Sequence, residues 1–198
     1  MKTGIILAGG KGKRAGGREK CLFSYKGETF IEILISTLSE VVDEIIVVAR
    51  DEEQSKQFDD LKGIKTVCDI RKEKGPLGGL HAGINYAKGD TVFLVACDMP
   101  FVNGGIVRKL FDMINEYDAV IPSWNNEMLE PLHAVYKKEA VEKYIISHES
   151  LSLRAMIKKL NSYYVDVNSL TDNDSELKTF TNINNLEELT KLTRGESD

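Results

Sequence analysis

The sequence predicts an α/β fold: three layers, α/β/α, built on a mostly parallel twisted sheet in a single domain. Three observations predict it. Short continuous apolar runs alternate with segments of helical period through residues 1–122, the pattern of buried parallel strands joined by crossover helices. The first apolar run ends in a glycine-rich, basic stretch, where sheets of this kind bind ligands. The chain has 198 residues, 42% hydrophobic and 29% charged, which suits one domain with a full core rather than two independent modules.

In order along the chain, Thr3 to Ala8 is an apolar run closed by Gly9-Gly10 and reads as the first strand. Residues 30–41 carry Ile31, Leu34, Ile35 and Leu38 at helical spacing. Glu44 to Ala49 and Ile64 to Cys68 are the next two strands. Residues 76–87 form a helix whose Pro76 suits its first turn. Thr91 to Ala96 is the fourth strand. Ile106, Leu110, Phe111 and Ile114 mark another helix, and Ala119 to Ile121 a further strand. After Pro122 the rhythm changes, dividing the domain into halves of about 1–122 and 123–198. Residues 132–136 read as a strand, 140–146 and 153–160 as helices. Residues 163–165 and 180–183 read as short extended pieces, 168–178 as a polar surface loop. Residues 186–192 read as a last helix capped by Asn184 or Asn185.

Composition excludes several classes. Cysteines number three, without CxxC spacing, and read as free thiols of a reducing compartment. Three unpaired histidines argue against zinc. The net charge is −5, but residues 1–165 balance 23 acids against 23 bases, so the excess sits in the tail. A neutral body and an acidic tail do not attract nucleic acid. Neither a membrane span nor a cleavable leader is evident, so a cytoplasmic location is expected.

Of the twelve positions 9–20, five are glycine and five are Lys or Arg. Glycines let backbone N–H groups close on an anion, and Lys11, Lys13, Arg14, Arg18 and Lys20 add charge. A Walker loop is excluded because no Ser or Thr follows the Gly-Lys pairs. A dinucleotide fingerprint is disfavoured because the basic stretch runs on to Lys20 instead of opening into a helix. Downstream, Gly75-Pro76-Leu77-Gly78-Gly79 is a rigid turn feeding a helix. Asp69, six residues earlier, could accept two hydrogen bonds from a guanine edge or be a solvated loop residue. Asp98 closes the fourth strand; a carboxylate there needs a partner, and a hard oxygen facing a triphosphate suits Mg²⁺. Alternation puts Asn182 and Asn184 on one face of a short extended piece.

The string Leu7-Ala8-Gly9-Gly10-Lys11-Gly12-Lys13-Arg14-Ala15-Gly16-Gly17-Arg18-Glu19-Lys20 resembles the signature loop of nucleotidyltransferases that share a Rossmann-like fold. It is most similar to the molybdenum cofactor guanylyltransferases, the MobA family. Gly75 to Gly79, Cys97-Asp98-Met99-Pro100, Pro131 to Tyr136 and Asn182-Ile183-Asn184-Asn185 follow in the family's order, so the resemblance spans residues 2 to about 192. Two positions depart: Ala15 stands where the family usually has Met, and Arg50 where it often has Asn.

The resemblance implies transfer of GMP from GTP to the phosphate of the molybdenum–molybdopterin cofactor, with release of pyrophosphate. It implies nucleotide contacts from Leu7, Ala8, Gly9, Gly10, Lys20, Asp69, Gly75, Pro76, Leu77 and Asp98, with Asp98 as the Mg²⁺ ligand. Arg14, Lys20 and Asp98 are the expected catalytic residues. Pro131, His133, Asn182 and Asn184 are expected to meet the acceptor. Expected partners are GTP, the molybdopterin cofactor and proteins that deliver it. Cytidylyl transfer, transfer to another phosphorylated acceptor, a non-catalytic nucleotide-binding regulator and a nicotinamide oxidoreductase are the alternatives.

Overall fold

The computed structural model describes residues 1–9, 19–70, 75–125, 128–148, 152–172, 174–185 and 187–190. The apolar runs become strands where expected: β1 (Lys2–Leu7), β4 (Glu44–Ala49), β5 (Ile64–Cys68) and β6 (Thr91–Ala96). Between β1 and β4 the chain makes a small hairpin of β2 (Ser24–Tyr25) and β3 (Glu28–Thr29). Helix α1 (Phe30–Ser39) follows directly, and Thr29 and Glu32 cap its start reciprocally. A short helix α2 (Glu52–Ser55) follows β4, and α3 (Pro76–Ile84) follows β5. Then come α4 (Gly104–Asp112), β7 (Ala119–Trp124), β8 (Met128–Leu129), β9 (His133–Lys137), α5 (Lys138–Ser147), α6 (Leu153–Ile157) and β10 (Ser162–Asp166).

These strands build one sheet in the order β10-β7-β9-β6-β1-β4-β5, with β8 on β7. Strands β6, β1, β4 and β5 are mutually parallel, as continuous apolar runs require, and β10 is parallel to β7. Strand β9 is antiparallel to both neighbours, so the sheet is mixed. It runs through both halves of the chain without a break.

Alternation along the strands sorts the core into two layers. Ile6, Val47 and Phe93 face one way, against Ile31, Leu34 and Leu38 of α1 and Ile106 and Leu110 of α4. Ile5, Leu7, Ile46 and Leu94 face the other way, against Leu77 and Leu80 of α3 and Val141 and Ile145 of α5. Helix α3 comes close because it carries glycine where it crosses β1. A Cβ on Gly79 would lie 2.9 Å from Leu7 Cδ2, and one on Gly83 would lie 2.9 Å from two Ile5 carbons.

The second half departs from expectation in two places. The expected extended piece at 180–183 joins no strand: Lys178–Phe180 is a 3-10 turn, followed by irregular backbone. The expected polar loop at 168–178 begins as a 3-10 turn over Val167–Leu170 that buries Val167 and Leu170. Burial of two apolar residues outweighs the polar composition around them. Among the described residues no helix is long and apolar enough to cross a membrane.

Candidate active site

Parallel strands deliver their carboxyl ends to one edge of the sheet. Along it stand Asp98 after β6, Ala8 and Gly9 after β1, Arg50 after β4 and Asp69 after β5, in the spatial order of the strands. Backbone bonds fix that edge: Cys97 N donates to Leu7 O at 3.0 Å, Ala8 N to Val48 O at 3.0 Å and Asp69 N to Ala49 O at 2.8 Å. The antiparallel course of β9 brings its first residues to the same edge, since Val95 pairs with His133. Pro131, two residues before that pair, therefore belongs to the same edge although it comes from the second half.

The centre of the site is a lysine. A 3-10 turn at Lys20–Leu22 aims Lys20 back at the sheet. Its Nζ lies 2.8 Å from Asp98 Oδ2 and 2.9 Å from Asn184 Oδ1. Both charged side chains are 21% exposed, so the pair is largely shielded from bulk solvent. Asn184 arrives because Ile183 N donates to Asp98 O at 2.8 Å, pinning the C-terminal segment to the strand end. Glu188 then accepts from Asn184 N at 2.7 Å. Asn185, not Asn184, caps the helical residues 187–190, accepting from Glu188 N at 2.9 Å.

Beneath the pair lie two free thiols, Cys21 and Cys97, both buried. The Cys97 thiol donates to Ala8 O and the Gln54 amide to Cys21 Sγ; interaction between the two thiols holds Cys21 below the usual thiol range and, with burial, holds Cys97 above it. To the side is a second polar group. Arg50 NH1 meets Glu19 Oε1 at 3.0 Å, and Arg50 Nε meets Asp51 Oδ2 at 2.8 Å. Arg50, whose role the sequence leaves open, is thus fixed between two carboxylates. Gln54 joins this group and had no motif to announce it; its only local signal is the Asp51-x-x-Gln54 spacing of a helix cap.

The expected residues fall into three groups. Lys20, Asp98 and Asn184 converge, so Asn184, expected to meet the acceptor, stands at the charged centre. Leu7, Ala8 and Leu77 are at the edge with their side chains buried. Gly9, Gly75, Pro76 and Asn182 are exposed and Asp69 and Pro131 half-buried along the same face. Gly75 holds φ +72°, a conformation glycine tolerates, and opens α3 without a side-chain cap. His133 differs from expectation: it is fully buried between the rings of Phe93 and Phe180, with Nε2 3.2 Å from Thr179 Oγ1. Alternation along β9 turns it into the core beneath the sheet. Gly10 and Arg14 lie outside the described residues.

A cation bridging Asp98 and Asn184 is already part of this arrangement, in the form of the Lys20 ammonium. Two hard oxygens that accept one cation are suited to Mg²⁺, which needs only one or two carboxylates and completes its shell with phosphate and water.

Comparison with known proteins places the fold and the family. A family model described as MobA-like NTP transferase domain matches residues 4–163. A protein of Methanosarcina mazei named "Probable molybdenum cofactor guanylyltransferase" is 37% identical over 202 residues, covering 97% of this chain and 90% of its own. A "Molybdenum cofactor guanylyltransferase" of Desulfosudis oleivorans is 33% identical over 196 residues, covering 96% and 93%. Among solved structures, molybdopterin-guanine dinucleotide biosynthesis protein A from Archaeoglobus fulgidus superposes with a TM-score of 0.79 at 29% identity, covering 96% of each chain.

Proposed function

The chain belongs to the MobA-like NTP transferase family, and from that premise we propose that it moves GMP from GTP onto the phosphate of the molybdenum–molybdopterin cofactor. The observation that carries the reading is the convergence of Lys20, Asp98 and Asn184 at the strand ends.

The acceptor's phosphate oxygen attacks the α-phosphorus of GTP. The bond from that phosphorus to the bridging oxygen breaks, and pyrophosphate leaves with the electron pair. A phosphate monoester is already anionic near neutral pH, its second pKa being about 6, so the reaction requires neither a general base nor a covalent intermediate. The protein's work is positioning and neutralisation. The Lys20 ammonium has three donors; two meet Asp98 and Asn184, and the third is available to a phosphate oxygen. Arg14 would add charge from the basic stretch. Asp98 and Asn184 would hold Mg²⁺, which when bound supplies further neutralisation of the triphosphate. Asp69 and the Gly75–Leu77 turn would read the guanine. Free thiols suit a reducing, cytoplasmic setting.

Pyrophosphate release is measured with GTP, CTP and ATP, with and without molybdopterin and Mg²⁺. Release that requires GTP and the cofactor is expected. A preference for CTP would make the chain a cytidylyltransferase and remove Asp69 from base recognition. No release with any nucleotide would leave a nucleotide-binding protein without turnover.

A further inference from the structure

Gln54 is uncharged and has 0% exposure, yet its side chain is fully bonded. Its carbonyl oxygen accepts from Arg50 N at 2.7 Å. Its amide nitrogen donates to Ala8 O at 3.0 Å and to Glu19 Oε2 at 2.6 Å. Ala8 and Glu19 flank the basic stretch, so one amide ties the exit of β1 to the residue just before Lys20. Only a side chain with one acceptor and two donors can make these three bonds, and Gln has the length for it. Burying such an amide is costly unless every bond is made, and here each is.

We propose that Gln54 is a positioning residue for nucleotidyl transfer: through Glu19 it holds Lys20 against Asp98 and Asn184. The proposal rests on the transfer reading above. Glu19 is clamped from two sides, by Gln54 on one oxygen and Arg50 on the other. The 3-10 turn that aims Lys20 begins at the next residue. Without the amide, Arg50 N loses its bond to the Gln54 carbonyl, Ala8 O keeps only the long bond from the Cys97 thiol among the described residues, and Glu19 is held from one side, by Arg50. The turn carrying Lys20 is then no longer fixed to the end of β1.

A double-mutant cycle separates this role from a merely structural one. Gln54→Met keeps the side chain's length and volume and removes its amide. In the full-length enzyme, Gln54→Met lowers kcat between about tenfold and about 100-fold, the range for a displaced catalytic group, while KM for GTP moves less than about threefold. In a Lys20→Ala background the same substitution changes kcat less than about twofold, because the group it positions is gone. Losses that multiply in both backgrounds, or a Gln54→Met enzyme with normal kcat, overturn the proposal. Should Gln54→Met not fold, Glu19→Ala breaks the same link from the cleft side and must show the same dependence on Lys20. An unsubstituted chain without turnover overturns the transfer reading and this role with it; an active one with multiplying losses overturns this role only.

Discussion

Lys20 and Asp98 are 78 positions apart and Asn184 lies 164 from Lys20, yet the three meet within hydrogen-bond distance. Each is placed by a different device: a 3-10 turn, a strand end and a backbone bond from Ile183. Of the two amides, Asn184 reaches the charged centre, while Asn182, two residues earlier, is exposed. The two amides should therefore separate on substitution. Asn184→Ala removes one acceptor from Lys20 and should lower kcat about five- to tenfold, the equivalent of one ordinary hydrogen bond. Asn182→Ala should weaken binding of the molybdopterin cofactor and leave GTP affinity within about twofold, since it makes no contact with Lys20. Titrating each ligand separately, together with steady-state rates, checks both. Loss of GTP affinity in Asn182→Ala would assign both amides to the nucleotide.

Helix α3 shows how an element positions a site it barely enters. Its N-terminal turn, Gly75 to Leu77, stands at the cleft because its body is pressed onto β1 at Gly79 and Gly83. Ala is the better helix former by about 1 kcal/mol, so propensity argues for Gly83→Ala. Packing argues against it: the new Cβ would lie 2.9 Å from Ile5 Cδ1 and Cγ2, and Ile5 is fully buried. Overpacking of a closed core costs about 1–3 kcal/mol, so packing wins. Gly83→Ala should lower the urea midpoint, with the slope unchanged. It should also raise KM for GTP, because lifting α3 moves residues 75–77. An equal or higher midpoint would mean that β1 and α3 separate freely. The same substitution at Gly79 should cost less, since there the nearest atom is the tip of Leu7.

Across the whole molecule, the parallel half was legible because a strand buried on both faces must read as an unbroken apolar run, as Ile45 to Ala49 does. The antiparallel insertion of β9 was not, since direction leaves no mark on an apolar run such as Ala134 to Tyr136. The short α2 and the β2–β3 hairpin escaped because four- and two-residue elements hold no period. Lys20 and Asp98 were legible from charge placed at strand ends. Gln54 was not, because its partners Ala8 and Glu19 are distant in sequence and a neutral amide has no pattern. His133 shows how a buried titratable side chain bears on global stability. Burial pushes its pKa down to about 3, and its partners among the described residues, the rings of Phe93 and Phe180 and the Thr179 hydroxyl, are uncharged. An unfolded histidine titrates near about 6.5. Between those values the unfolded chain takes up a proton that the folded chain refuses, so the unfolded state binds more protons and stability falls as pH falls. His133's contribution is whole above about pH 6.5 and drains away as the pH approaches 3. Glu130, raised by burial against its bond to Trp124, works with the opposite sign, and comparing two variants of one chain cancels it. Unfolding free energies from urea titrations between pH 7 and 4 should fall more steeply for the unsubstituted chain than for His133→Gln. The difference in slope should approach about 1.4 kcal/mol per pH unit, the value for one proton. Parallel curves would mean that His133 accepts its proton inside the fold, and that the core around Phe93 and Phe180 opens to admit it.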